Sequence, residues 1–292
     1  MPDKRIKHFI ITRFFPKQDP RYPYDIYDVD FLTKQLLLAK HNALPSLENQ
    51  TNKNFELVFM VNPKFFGNPK YDFVFSALQN CTSFPIRFSK THGKGISVSS
   101  MFKNSDVPAI IKDALNDYDF VIQSAMDFDD FIFKNAVADT QNKVNECDSI
   151  LAYGYCKGYT YLNGEIRNYK ASFHGAGHVA ILQSLILKST FAKKLPCIGI
   201  YSYVHSRFKL GMENFFKENN LKFSENMFQQ NKKTSAFIYF RTEFSHNNLV
   251  TNPGSLERLY PKKPFLTTNE DGLTKEHLKS EFGFEYKLNS IE

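Results

Sequence analysis

The sequence predicts an α/β fold with a mostly parallel central sheet, helices on both faces and antiparallel additions in the C-terminal half. Three observations predict it. Apolar runs of strand length alternate with helical stretches through the first 130 or so residues, the mark of βα repetition. The run Phe120-Val121-Ile122 stops abruptly at Asp127, Asp129 and Asp130, as a buried parallel strand does where it reaches a ligand-binding edge. Asn163-Gly164 lies between two strand-like runs, a strong hairpin signal.

The elements follow in order. Lys7–Thr12 is an apolar strand, and the Pro-, Asp- and Tyr-rich stretch from Pro16 to Tyr27 is a surface loop beside its end. Asp30 is placed to cap a helix whose apolar stripe is Leu32, Leu36, Ala39 and Ala43. Pro45-Ser46-Leu47 begins a further turn, and Phe55–Val61 is a second buried strand ending in Asn62-Pro63. Asp72–Gln79 reads as a helix and Pro85–Phe88 as a third strand. Ser105 would cap a helix from Val107 to Leu115, before the fourth strand, Asp119–Gln123. Ser149–Tyr155 is strand-like, and Tyr159–Leu162 with Glu165–Tyr169 forms the hairpin. Val179–Phe191 and Leu210–Asn219 read as helices, Ala236–Phe240 as a last strand, and Thr274–Phe282 as a helix in a polar, Pro-containing tail. The expected organisation is a domain over 1–250, with a nucleotide-sugar half to 135 and an acceptor half from 136, and an extension from 251 to 292 packed on it.

Hydrophobic content of 42% and charged content of 23% are those of a soluble globule, and 292 residues suffice for one large domain. The formal charge of +7 admits an anionic partner, but Lys and Arg are scattered without a basic block, so nucleic acid is not expected. Cys81, Cys147, Cys156 and Cys197 include no C-x-x-C pair and read as reduced core thiols. No signal peptide is evident, and no apolar run nears the roughly 20 residues that span a bilayer. A cytoplasmic protein is expected, with room for peripheral contact at the inner face of the membrane.

Three carboxylates within four residues repel one another unless a cation sits among them, and hard oxygen ligands suit Mn²⁺ or Mg²⁺. The competing reading is a helix start, with Asp129 and Asp130 capping a helix from Phe131 to Val144. Thr91-His92-Gly93-Lys94-Gly95 is glycine-rich without the P-loop pattern; its backbone and Lys94 suit a phosphate, and a plain turn is the alternative. His174 and His178 lie among glycines, which argues against a helical zinc pair and for a loop over the site.

Asp127-Phe128-Asp129 matches the D-x-D metal motif of GT-A glycosyltransferases, and the layout resembles theirs. More narrowly, Phe9-Ile10-Ile11-Thr12-Arg13-Phe14, the stretch from Leu44-Pro45-Ser46-Leu47 through Gln50 to Phe55, and the acidic stretch resemble the bacterial rhamnosyltransferase family over about residues 6 to 135. The resemblance implies a nucleotide-sugar donor (UDP-, GDP- or dTDP-linked), a glycan or glycolipid acceptor, and metal ligation by Asp127 and Asp129. It implies Thr12 and Arg13 near the nucleoside and a third metal ligand from the C-terminal part, for which His246 leads His205. Where GT-A enzymes often hold the base with an Asp after the second strand, this chain has Asn62. It also implies inversion, which needs a carboxylate base on the acceptor side; Glu213 is the candidate. Two other classes compete: a nucleotidyltransferase acting on sugar phosphates, disfavoured because no glycine follows the first strand, and a non-catalytic module for anionic glycan or a membrane surface, which leaves the acids unexplained.

Overall fold

The computed structural model describes residues 4–15, 25–92, 97–162, 165–170, 182–202, 208–241, 266–267 and 274–284. Strands β1 (Ile6–Phe14), β2 (Glu56–Val61), β3 (Ile86–Lys90) and β4 (Phe120–Ala125) form a parallel sheet in the order β3-β2-β1-β4. Beyond β4 the sheet continues antiparallel, through β8 (Gln183–Lys188), β6 (Ile150–Leu162), β7 (Glu165–Lys170) and β10 (Leu266–Thr267). β9 (Phe228–Arg241) runs parallel to β6 and antiparallel to the short β5 (Phe131–Ile132).

Alternate residues of β1 face opposite sides, as the two-residue period requires. Ile10 and Phe14 enter one core with α1 (Val29–His41), α2 (Ala43–Glu48), α3 (Asp72–Gln79), α6 (Ala136–Asn142) and α9 (Lys275–Phe282). Phe9 and Ile11 enter a second core with α4 (Val98–Lys103), α5 (Val107–Asp117), α7 (Ser189–Ala192) and α8 (Phe208–Glu218). Helices therefore cover both faces of the sheet. α9 is capped by Thr274, whose side chain accepts from His277 N at 3.1 Å, and ends at Gly283 in the left-handed conformation (φ 67°). It docks beside β5: Lys134 N donates to Glu281 O at 2.7 Å and Phe284 meets Phe131 edge-on at 5.0 Å.

Several expectations are revised. α1 is capped by Asp28, which accepts from Phe31 N at 2.9 Å, while Asp30 sits in the first turn. Asp129 and Asp130 cap no helix: Phe131–Ile132 is a strand, and α6 starts only at Ala136. Gln183–Lys188 is a strand, not part of a helix. Its Leu185 and Leu187 enter one core and Ile186 another, so burial on both faces overrides helical preference. The two runs at Ser149–Tyr155 and Tyr159–Leu162 are one strand, β6. Gly158 lies in it where a Cβ would strike the Phe237 ring and carbonyl of β9. Cys147 and Cys156 are buried as expected, but Cys81 and Cys197 are exposed, and all four are free thiols.

The central strands are also tied by buried polar groups. His8 of β1 is 1% exposed. Its Nδ1 accepts from Gln141 Nε2 at 3.5 Å, which leaves Nε2–H to donate to Ser124 Oγ of β4 at 2.8 Å. Ser124 Oγ in turn meets Ser184 Oγ of β8 at 2.6 Å. Burial holds the His8 imidazole neutral, with a pKa lowered from 6.5 to about 3. The unfolded chain takes up a proton below pH 6.5 that the folded chain refuses. The stabilising effect is thus complete above pH 6.5 and shrinks as pH falls toward 3. From pH 6.5 to 5 this group alone should cost about 2 kcal/mol. Urea melts at pH 7 and pH 5 should show the loss in the native chain, and His8→Gln should remove that part of the pH dependence.

Candidate active site

The acids sit where β4 ends. Ala125 pairs with Ile11 of β1, and Met126 N donates to Ile11 O at 3.1 Å, so the next residues leave the sheet edge. Asp130 N donates to Asp127 O at 3.2 Å, closing a tight turn. Phe128, between the two aspartates, is buried and packs on Phe14 and Phe15 at 5.2 and 5.6 Å. That ring anchors the turn in the core. Asn42 Nδ2 donates to Asp129 O at 3.0 Å from the α1–α2 junction. Carboxylate oxygens of Asp127, Asp129 and Asp130 lie within 4.8 Å of one another, with Asp129 and Asp130 buried. Oxygen-only donors at this spacing fit Mn²⁺ or Mg²⁺.

Arg13 reaches this cluster from the neighbouring strand, its Nη2 donating to Asp127 Oδ1 at 2.7 Å. Its guanidinium lies 5.9 Å from the ring of Tyr201, a buried residue whose hydroxyl donates to Ile11 O at 3.0 Å. Desolvation opposes the charge on Arg13, but Asp127 outweighs it and holds the guanidinium more firmly protonated. Burial, with Asp127 adding to it, pushes the Tyr201 phenol well up, so Tyr201 acts as a neutral donor and platform. The sequence gives no signal for Tyr201. Arg13 was visible as a strand-end residue, and the structure pairs it with Asp127.

The other candidates are placed as follows. Thr12 is buried, and its Oγ1 has no hydrogen-bond partner among the described residues. Asn62 accepts from Lys64 N at 3.0 Å and donates to the Tyr27 hydroxyl at 3.2 Å. Around it, Lys64 and Lys70 lie against the rings of Tyr27 and Tyr71, and Lys90 against Phe66, so the carboxyl ends of β2 and β3 carry several cations. Glu213 is the sixth residue of α8, past the first turn, so its neighbouring charge is Lys209 at 3.8 Å rather than the helix end. α8 shares its core with Tyr201. Lys94, His174, His178, His205 and His246 lie outside the described residues. The described residues flanking three of these stretches do converge on the acids. Leu182 N donates to Ala125 O at 2.8 Å, Tyr201 lies under Arg13, and β9 runs antiparallel to β5 and leaves in the direction of residues 128–130.

The family profile described as putative rhamnosyl transferase matches residues 23–237, well over half of the chain. The chain belongs to that family. It is a glycosyltransferase. No curated protein matches it in sequence. Solved structures similar to it include a putative glucose-1-phosphate thymidylyltransferase from Bacillus anthracis in complex with sucrose (12% identity, TM-score 0.43, covering 87% of this chain and 95% of that one). S. aureus TarS 1-349 in complex with UDP is similar at 13% identity and TM-score 0.39, over 81% of this chain and 61% of that one. A putative nucleotide-diphospho-sugar transferase from Desulfovibrio desulfuricans follows at 10% identity and TM-score 0.37, over 89% and 96%. At these scores no statement about activity rests on the three structures. Among the described residues, no helix of this family member is long and apolar enough to cross a membrane.

The crowding of the acids has a thermodynamic consequence. Unit charges about 5 Å apart repel by roughly 3 kcal/mol per pair at an effective dielectric of about 20. Arg13 offsets part of that repulsion through Asp127. In EDTA, Asp129→Asn should therefore melt at a higher temperature than the native chain, and Mn²⁺ should reverse the order. Thermal melts of both proteins in EDTA and in Mn²⁺ check this.

Proposed function

We propose that the protein is a metal-dependent glycosyltransferase that moves a sugar from a nucleotide-sugar donor to a glycan or glycolipid acceptor, with inversion. The observation that carries this is the turn after β4, where three carboxylates gather beside Arg13 in a member of a glycosyltransferase family. Asp127 and Asp129 would hold Mn²⁺ or Mg²⁺, with Asp130 behind them and His246 as our assignment for a ligand from the chain after β9. When bound, the cation would neutralise the diphosphate and act as Lewis acid. The lysines at the carboxyl ends of β2 and β3 favour an anionic donor there. In the reaction the bond from the anomeric carbon to the β-phosphate oxygen breaks and its electron pair stays on the phosphate. The acceptor oxygen takes its place on the opposite face, and its proton passes to a base. Glu213 is the base we propose, a partly exposed carboxylate on α8 with Lys209 Nζ at 3.8 Å.

A thermal-shift panel of UDP, GDP and dTDP, with and without Mn²⁺, tests the donor reading. One diphosphate should stabilise the native chain in a Mn²⁺-dependent way, and Asp129→Ala should lose that response while remaining folded. A response to sugar 1-phosphate with nucleoside triphosphate, and none to the diphosphates, would replace this reading with a nucleotidyltransferase.

Glu213→Gln should keep donor binding and lose turnover by about 10²-fold or more, the scale of a lost general base. Near-normal turnover would remove Glu213 from that role, and an NMR time course showing the donor's anomeric configuration in the product would remove inversion.

A further inference from the structure

Arg13 has more donors than Asp127 and Tyr201 take up. A guanidinium carries five N–H groups, and Asp127 Oδ1 takes one of them at 2.7 Å. Its Nε is buried and has no hydrogen-bond partner among the described residues. Buried donors are seldom left unmade, because the desolvation cost then goes unrecovered. The side chain is also held in place. It rises from the end of β1, stands against the Tyr201 ring, and Tyr201 is itself fastened to Ile11 O. Its direction is set by the protein before any ligand arrives.

The charges point the same way. Three carboxylates and one guanidinium leave a formal charge of −2 on the cluster, which a divalent cation cancels. A diphosphate arriving on that cation brings new negative charge beside Arg13, the cation that the described residues place against Asp127. The spare, pre-set donors of Arg13 face that need, and a planar fork suits phosphate oxygens better than a point charge does. The nucleoside is less suited as its partner, since Arg13 lies level with Asp127 while Asn62 and Tyr27 mark the end of the next strand.

We infer that Arg13 holds the leaving diphosphate, bridging Asp127 and the phosphate oxygens. This rests on the donor reading given above. As the bond to the anomeric carbon breaks, the electron pair collects on the β-phosphate beside a fixed positive charge, with no proton needed to stabilise it.

Arg13→Met and Arg13→Lys in the full chain test this. Mn²⁺ alone is titrated by electron paramagnetic resonance, and calorimetry in Mn²⁺ compares the mono- and diphosphate of whichever base, uridine, guanosine or thymidine, the native chain binds. Arg13→Met should bind Mn²⁺ alone at least as well as the native chain, because a competing positive charge is gone. It should bind the diphosphate more weakly by about tenfold or more, the scale of one lost charge-assisted hydrogen bond. The monophosphate should lose much less, and Arg13→Lys should recover part of the diphosphate affinity. Equal losses for mono- and diphosphate would return Arg13 to the nucleoside, and parallel losses of Mn²⁺ and nucleotide would make it a structural support; either overturns the inference alone. A native chain that binds none of the diphosphates would overturn the donor reading and this inference with it.

Discussion

The rest of the structure depends on holding three like charges against their mutual repulsion. Asp127, Asp129 and Asp130 would separate if the turn were free, so the fold grips it from several sides. Phe128 is sunk among Phe14 and Phe15, Asn42 bonds the Asp129 carbonyl, and β5 is paired to β9 immediately afterwards. Strain collects at the same place. Phe15 and Leu182, neither of them glycine, take left-handed backbone angles of 46° and 52° at the ends of the strands that border the turn. Such conformations persist only where surrounding packing overrides the local cost, and here Phe15 is wedged between Phe14, Phe31 and Phe128. Stability drawn from the aromatic core is used to keep an electrostatically unfavourable arrangement assembled.

What could be read from the sequence was whatever depends on local pattern. The four parallel strands announce themselves as apolar runs between helical stretches, and the acids mark the end of β4 without reference to anything else. Gln183–Lys188 was misread because an apolar run of that length suits a helix or a buried strand equally; only its pairing with β4 and β6 decides. The alternative in which Asp129 and Asp130 cap a helix fails for a similar reason. Local preference allows it, and the distant partner β9 draws Phe131 and Ile132 into a strand instead.

The candidate site divides along the same line. Asp127 and Asp129 were legible because a motif is a local object. The Arg13–Asp127 pair was not, since it follows from β1 and β4 being neighbours, a fact about strand order rather than about either segment. Tyr201 belongs to a stretch with no periodicity and no motif, and its placement under Arg13 depends on the second core, where α8 and the segment before it pack. Asn62 can be read both ways. Its residue type suggested recognition of a base; an Asn before Pro63 is also a natural cap for the single helical turn that follows, and its side chain accepts from Lys64 N there.

The pairing of β5 with β9 has a consequence for how the protein is made. The turn bearing the acids is synthesised early, yet the strand that clamps it ends at Arg241, and the helix that docks beside β5 ends only at Phe282. On the ribosome the parallel strands can pair once β4 emerges, because β1, β2 and β3 precede it, while the edge of β4 that later takes β8 stays open. The acids must then wait, attached to the parallel part of the sheet but not yet clamped by β9, for about a hundred further residues at about 5–20 residues per second. For those seconds the nascent chain carries an open acidic turn. The order of the chain makes the clamp on the site depend on a strand made well after it.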